Sequence, residues 1–155
     1  MKARIHAIAG TLALVTVATF LVSTLVSELA LGHEAVAAVK TAILYGVCLL
    51  IPLMAATGGS GFSLASGRQG PLIDAKKRRM RFIAANGILI MLPAAVSLSG
   101  KASAGAFDQV FYTVQAVEIA GGALQICLLG LNFRDGLRMT EKKRLLARRK
   151  AQGTQ

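Results

Sequence analysis

The sequence predicts an all-α integral membrane protein: a left-handed bundle of four spanning helices, built as two antiparallel hairpins with both termini in the cytoplasm. Three observations predict it. Of the 155 residues, 54% are hydrophobic and the mean hydropathy is +0.59, yet the formal net charge is +11. These two properties occupy different segments, since apolar runs long enough to cross about 30 Å of hydrocarbon alternate with charged stretches. Finally, 16 of the 18 Lys and Arg residues fall on one side of those runs. The runs do not alternate in polarity, as the strands of a membrane β-barrel would.

The first span is predicted at 5–31. It follows "MKAR" and precedes an "AVA" that resembles a signal-cleavage site, but the apolar run is too long for a signal peptide and reads as a retained helix. A tight "LGHE" turn leads to the second span, 35–57. The glycine-rich stretch "GGSGFSLASGRQGPLIDAKK", with Pro71 near its middle, is expected to be part of a long loop, 58–81, joining the two hairpins. The third span, 82–99, is the shortest and holds Pro93, which a spanning helix tolerates or answers with a kink. After the turn "GKASAGA" comes the fourth span, 107–133. The tail, 134–155, is strongly charged, and its "EKKRLLARRKA" is expected to form an amphipathic interfacial helix with Leu145 and Leu146 on one side. Small residues four apart, Ala9 with Ala13 and Ala116 with Ala120, and Gly121, Gly122 and Gly130 allow close helix packing.

Orientation follows from the basic residues. Lys2 and Arg4 precede the first span; Arg68, Lys76, Lys77, Arg78, Arg79 and Arg81 lie in the central loop; eight more follow the fourth span. Only Lys40 and Lys101 lie elsewhere, so the positive-inside bias sets both termini in the cytoplasm. The cluster "KKRRMR" is in the first place topogenic. Lys76, Lys77, Arg78, Arg79 and Arg81 are also candidates for contact with anionic lipid headgroups. Nucleic acid is not expected, because no aromatic residues interleave with the cluster and no binding fold accompanies it. Cys48 and Cys127 fall inside spans at different depths and read as small apolar core residues.

Function in such a chain is sought where polarity is expensive. Glu118 lies near the centre of the fourth span, with Gln115 and Tyr112 at successive turns before it. Glu28 and Lys40 share its half of the membrane, and Lys40 is placed to neutralise Glu118 or Glu28. Asn86, Gln125, Asn132 and His6 occupy the other half. His6 stands one turn before Gly10, which would leave room for a flat ligand, and the face continues through Ala13, Val17, Phe20, Thr24 and Glu28. His33 lies just past the other end of the first span. Each histidine has an ordinary reading as an interfacial polar residue and a second one as a ligand to a metal or b-type haem. The two are a membrane thickness apart, so a single-chain haem on His6 would need Met54, Met80, Met91, Lys77 or an open position opposite it. No phosphate loop, zinc-protease, nucleophile-elbow or dinucleotide motif is present.

The stretches "ARIHAIAG", "HEAVAAVKTAIL", "GGSGFSL", "GPLIDAKKRRMRFIAANGILIMLPAA" and "GLNFRDGLR" give the chain, up to about Arg138, a pattern that resembles a family of small four-helix inner-membrane proteins of proteobacteria. That family carries no assigned activity. The chain is more loosely similar to small membrane b-type haem proteins, which place a histidine near the end of their first helix. This likeness implies haem b on His6 with Met80 or Met91 opposite and basic loop residues at the propionates. The leading expectation is thus a haem-handling or quinone-linked redox protein, with Glu118 and Gln115 as proton or hydrogen-bond groups toward a quinone. The alternatives are a non-enzymatic subunit or assembly factor of a larger membrane complex, and a small oligomeric transporter with Lys40 and Glu118 along a polar path.

Overall fold

The computed structural model describes residues 2–66 and 70–152, and side chains except at 2–3, 64–65, 142–144 and 146–152. Helix α1 is Lys2–Ala30, α2 is His33–Ala65, α3 is Pro71–Asn86, α4 is Leu92–Ser103 and α5 is Gln109–Gln152. A π-helical turn, Gly87–Met91, joins α3 and α4 into one rod. That makes four rods, each long and apolar enough to cross a membrane. The two connections at one end are short, and the third, between α2 and α3, spans only residues 66–70.

Burial is inverted relative to a water-soluble bundle. Leu29 is 84% exposed and Leu89 72%, while Thr24, Ser27, Lys40, Asn86, Gln115, Glu118, Gln125 and Asp135 are all buried. A surface of leucine, isoleucine and valine around an interior that holds so many polar groups is stable only where the solvent is hydrocarbon. The chain is a multi-pass membrane protein.

The central segment departs from the expected loop 58–81. Helix α2 runs through Gly58, Gly59 and Gly61 to Ala65, and α3 begins at Pro71. In hydrocarbon a glycine-rich backbone has no water to satisfy its amides, so it closes its own helical bonds despite the entropic cost. Just before α3, Gly70 has a φ of 140°, which suits glycine alone, and Pro71 takes the first helical position, where no N–H is required. The basic cluster therefore lies on a helix. Arg68 is outside the described residues. The tail also continues α5 as helix to Gln152; Leu145 is exposed, while the Leu146 side chain lies outside the described set.

Pro93 produces a π turn. The Leu92 N–H reaches back to the Gly87 carbonyl, and this wide turn accommodates the proline that follows. At the opposite end of that rod, Gly105 (φ 68°) turns the chain and Asp108 caps α5, its carboxylate accepting the Phe111 N–H at 2.8 Å. Lys101, hydrogen-bonded to Asp108 at 2.7 Å, and then that amide hold the Asp108 carboxyl below the usual range. The cap is thus present above the unfolded-state pKa of aspartate and is lost only as pH falls through the lower folded value. Packing beside it, Val36, Leu98, Ala102 and Phe111 form one core cluster; Val17, Ile83 and Leu129 form a second, deeper in the bundle.

The α1–α2 hairpin is antiparallel, with Thr57 against Gly10, Phe20 against Gly46 and Thr24 bonded to Lys40. Helix α5 packs on α1, α3 and α4, whereas α2 meets α4 and barely touches α3. Of the small-residue pairs, Ala9 and Ala13 are buried, but Ala116 and Ala120 face outward. The close approach on α5 is instead at Gly121, where a Cβ would stand 2.9 Å from Met91 Sδ and 3.4 Å from Asn86 Oδ1. At Gly122 a Cβ would find only ordinary contacts of 3.6 Å or more. Gly121→Ala is expected to cost about 1–3 kcal/mol through overpacking. Gly122→Ala is expected to be neutral or stabilising by about 0.5–1 kcal/mol. Denaturant unfolding of the two variants in mixed micelles checks the contrast.

Candidate functional site: a cleft between two helices with a polar end

Because α2 and α3 diverge, a cleft opens between them. Its cavity of about 520 Å³ is walled mainly by apolar side chains of α1, α2 and the α3–α4 rod, including Phe20, Ile43, Met54, Ile88 and Met91, with Glu118, Gly122 and Gln125 of α5. Gly58 and Gly59 of α2 form part of the wall, with open space where a Cβ would be. The glycines read as a linker thus thin the helix where it lines the cleft. A second cavity of about 260 Å³ shares Met54, Phe62, Met80 and Ile83 with the first and extends it toward the chain termini. It contains the polar end, with His6, Lys76, Lys77 and Asn132 in its wall.

His6 is held firmly. Its Nδ1 lies 3.0 Å from the Thr57 carbonyl oxygen and 3.2 Å from Ser60 Oγ. A carbonyl only accepts, so Nδ1 carries the proton and donates it; in the neutral ring the Nε2 lone pair then has no hydrogen-bond partner among the described residues. Met80 stands opposite: His6 Cε1 and Met80 Sδ are each 3.1 Å from the point where a Gly61 Cβ would be. A side chain at Gly61 would press on both, so each would have to give by a few tenths of an ångström.

Two of the other residues named as possible haem ligands lie apart from this pair, which stands against Gly61 of α2. Met91 is no substitute, being packed under Gly121 away from His6. His33 is at the far end, stacked on Phe107 at 4.0 Å and 12°. Among the described residues there is also no group of three or more His, Cys, Asp or Glu side chains arranged to hold a metal.

The basic cluster divides by helix face. Arg78 and Arg81 are exposed, Lys76 and Lys77 line the smaller cavity, and Arg79 turns to α5. Its guanidinium donates to Asn132 Oδ1 at 3.0 Å and lies 2.8 Å from Asp135 Oδ2, an ion pair by proximity rather than an aligned hydrogen bond. Asp135 had no role in the sequence reading. Its signal is that it is the lone acid in "NFRDGLR", amid basic residues.

Two more polar groups cross the bundle. Asn86, immediately before the π turn, donates Nδ2 to the Gly121 carbonyl at 3.0 Å and to Gln125 Oε1 at 2.8 Å; Gln125 Nε2 donates to the Ile83 carbonyl at 3.2 Å. Nearer the short turns, the Lys40 ammonium donates to Glu118 Oε2 and, at 3.3 Å, to Thr24 Oγ1. Glu118 and Thr24 border the cleft at that end. Glu28 is one turn beyond Thr24, and Gln115 is buried one turn before Glu118. Tyr112, expected on their face, points outward, and Phe111 fills the interior instead. Cys48 and Cys127 are also on the outer face rather than in the core. The chain matches no family model, no curated protein and no solved structure.

Proposed function

We propose that the protein is a bacterial inner-membrane binder of an isoprenoid quinone, with both termini cytoplasmic. The observation that carries this reading is the shape and lining of the cleft: two adjoining, mainly apolar cavities that share Met54, Phe62, Met80 and Ile83, the smaller of them reaching His6, Lys76 and Asn132. The apolar walls suit an isoprenoid tail, which needs only apolar contact, and the polar end suits a flat head with carbonyl and hydroxyl groups. The Lys76 ammonium is a donor for a quinone carbonyl, and His6 Nε2 is an acceptor for a hydroquinone hydroxyl. A phosphate headgroup fits this end less well, because it presents only acceptors to the unprotonated Nε2. Glu118, expected to face a quinone, borders the other end of the cleft with its carboxylate committed to Lys40. The positive-inside bias puts the His6 end at the cytoplasmic surface, where a hydroquinone can exchange protons with water.

Calorimetric titration of the purified protein in mild detergent with a short-chain benzoquinone tests the reading. One saturable site is expected per chain. His6→Leu weakens it at least tenfold (about 1.4 kcal/mol), and Tyr45→Leu, on the outward face, leaves it unchanged. A cooperatively folded wild-type protein that binds no quinone sinks the proposal. If a second membrane protein then co-purifies at unit stoichiometry, the docking-subunit reading takes its place.

A further inference from the structure

Two buried oxygens near the short-turn end have no donor among the described residues: Glu28 Oε1 and Gln115 Oε1. Unsatisfied groups at that depth call for a partner that protein atoms do not supply, such as an ion or a water. The register of α1 on α5 places the two together. Leu21 packs on Gly122, and one turn further Thr24 meets Glu118 through Lys40. Continuing that antiparallel register by four residues brings Glu28 opposite Gln115.

Charge balance points to the partner's sign. The cluster holds one ammonium, Lys40, which is consumed by Glu118. Glu28 adds a second carboxylate with no cation beside it. The other charged groups of this end do not help: Lys101 is bound to Asp108, and Glu34 and His33 lie at the exposed start of α2. We propose that Glu28 and Gln115 form a site for a desolvated monovalent metal cation of sodium size. The donors are oxygens, a carboxylate and an amide carbonyl, with the hydroxyls of Thr24 and Ser27 on the same face of α1. That set suits a hard cation and not a transition metal. A single positive charge neutralises the cluster and gives both orphan oxygens a partner. The inference is independent of the quinone reading, which uses the other end of the cleft.

The test is thermal unfolding of the full chain in detergent as sodium replaces choline at constant ionic strength, with equilibrium dialysis of radioactive sodium alongside. A site that binds only the folded state raises Tm saturably, by about 3–6 °C at tenfold excess over Kd, with one sodium retained per chain. Glu28→Gln, which keeps the shape and removes the charge, abolishes both effects, and Gln115→Leu removes most of them. Both variants keep the Lys40–Glu118 pair, so their folding in choline serves as the control. Equal Tm in sodium and choline, with no retained sodium, overturns the proposal. So does a stability that follows pH through Glu28 but ignores sodium, which would assign the position to a proton.

Discussion

Lys40→Met should destabilise the bundle by about 3–5 kcal/mol, the usual cost of leaving one member of a buried ion pair without its partner. Lys40 is 1% exposed, and its ammonium is shared between Glu118 and the Thr24 hydroxyl. Removing it leaves Glu118 as an uncompensated carboxylate on the cleft wall, and it also removes the donor to Thr24 Oγ1. The pair itself need not be worth that much, because desolvating two charges offsets most of their attraction. Lys40→Met combined with Glu118→Leu is therefore expected to recover most of the loss, and in hydrocarbon surroundings to approach the parent. Denaturant unfolding of the four proteins of this cycle in mixed micelles gives the coupling directly. A Lys40→Met variant within 1 kcal/mol of the parent would show that the pair does not hold α2 to α5.

The sequence made the spans legible because hydrocarbon imposes one strong rule, a long apolar helix, and because Lys and Arg sort so unevenly. It also made the Lys40–Glu118 encounter legible, since these are opposite charges at matching depth with few competitors. Three features were not legible, each for a physical reason. "GGSG" looks like a linker by propensities measured in water, but inside a bilayer the backbone must bond to itself, so α2 runs through it. Asp135 sits in a basic run that reads as a solvated tail. Only the tertiary approach of Arg79 turns it into a buried counter-ion. The cleft is a lack of contact between α2 and α3, and periodicity reports which face of a helix is apolar without saying whether that face is filled. The face through Ala13, Val17, Thr24 and Glu28 pointed inward, yet what it meets at Phe20 and Thr24 is partly open space.

That open space depends on how α3 is fastened. With little contact to α2, α3 is held to α5 at two polar points, Arg79 on Asn132 and Asp135, and Asn86 on Gln125 and Gly121. Asp135 is the more consequential anchor. Arg79 is paired with it, Arg134 lies 3.8 Å from its other oxygen, and the Lys76 ammonium is 3.7 Å from the Cβ position of the adjacent Gly136. Three cations thus lie around one carboxylate, and one of them, Lys76, lines the smaller cavity. Asp135→Leu should cost about 2–4 kcal/mol, somewhat below the figure for Lys40 because Arg79 is partly exposed and can rehydrate. The effect on binding should be larger than the stability loss suggests. Without the carboxylate the cations repel one another, α3 moves off α5, and Lys76 leaves the place where it would face a quinone carbonyl. The expected result is loss of measurable quinone binding in Asp135→Leu under conditions where the protein remains folded, with Asp135→Glu retaining part of it. Arg79→Met with Asp135→Leu should regain stability relative to Asp135→Leu alone, because a cation without a counter-ion is removed, but should not regain binding. Recovery of full affinity in that double variant would mean that α3 is positioned by its apolar contacts with Ile83 and Leu129, and that the ion pair contributes stability alone.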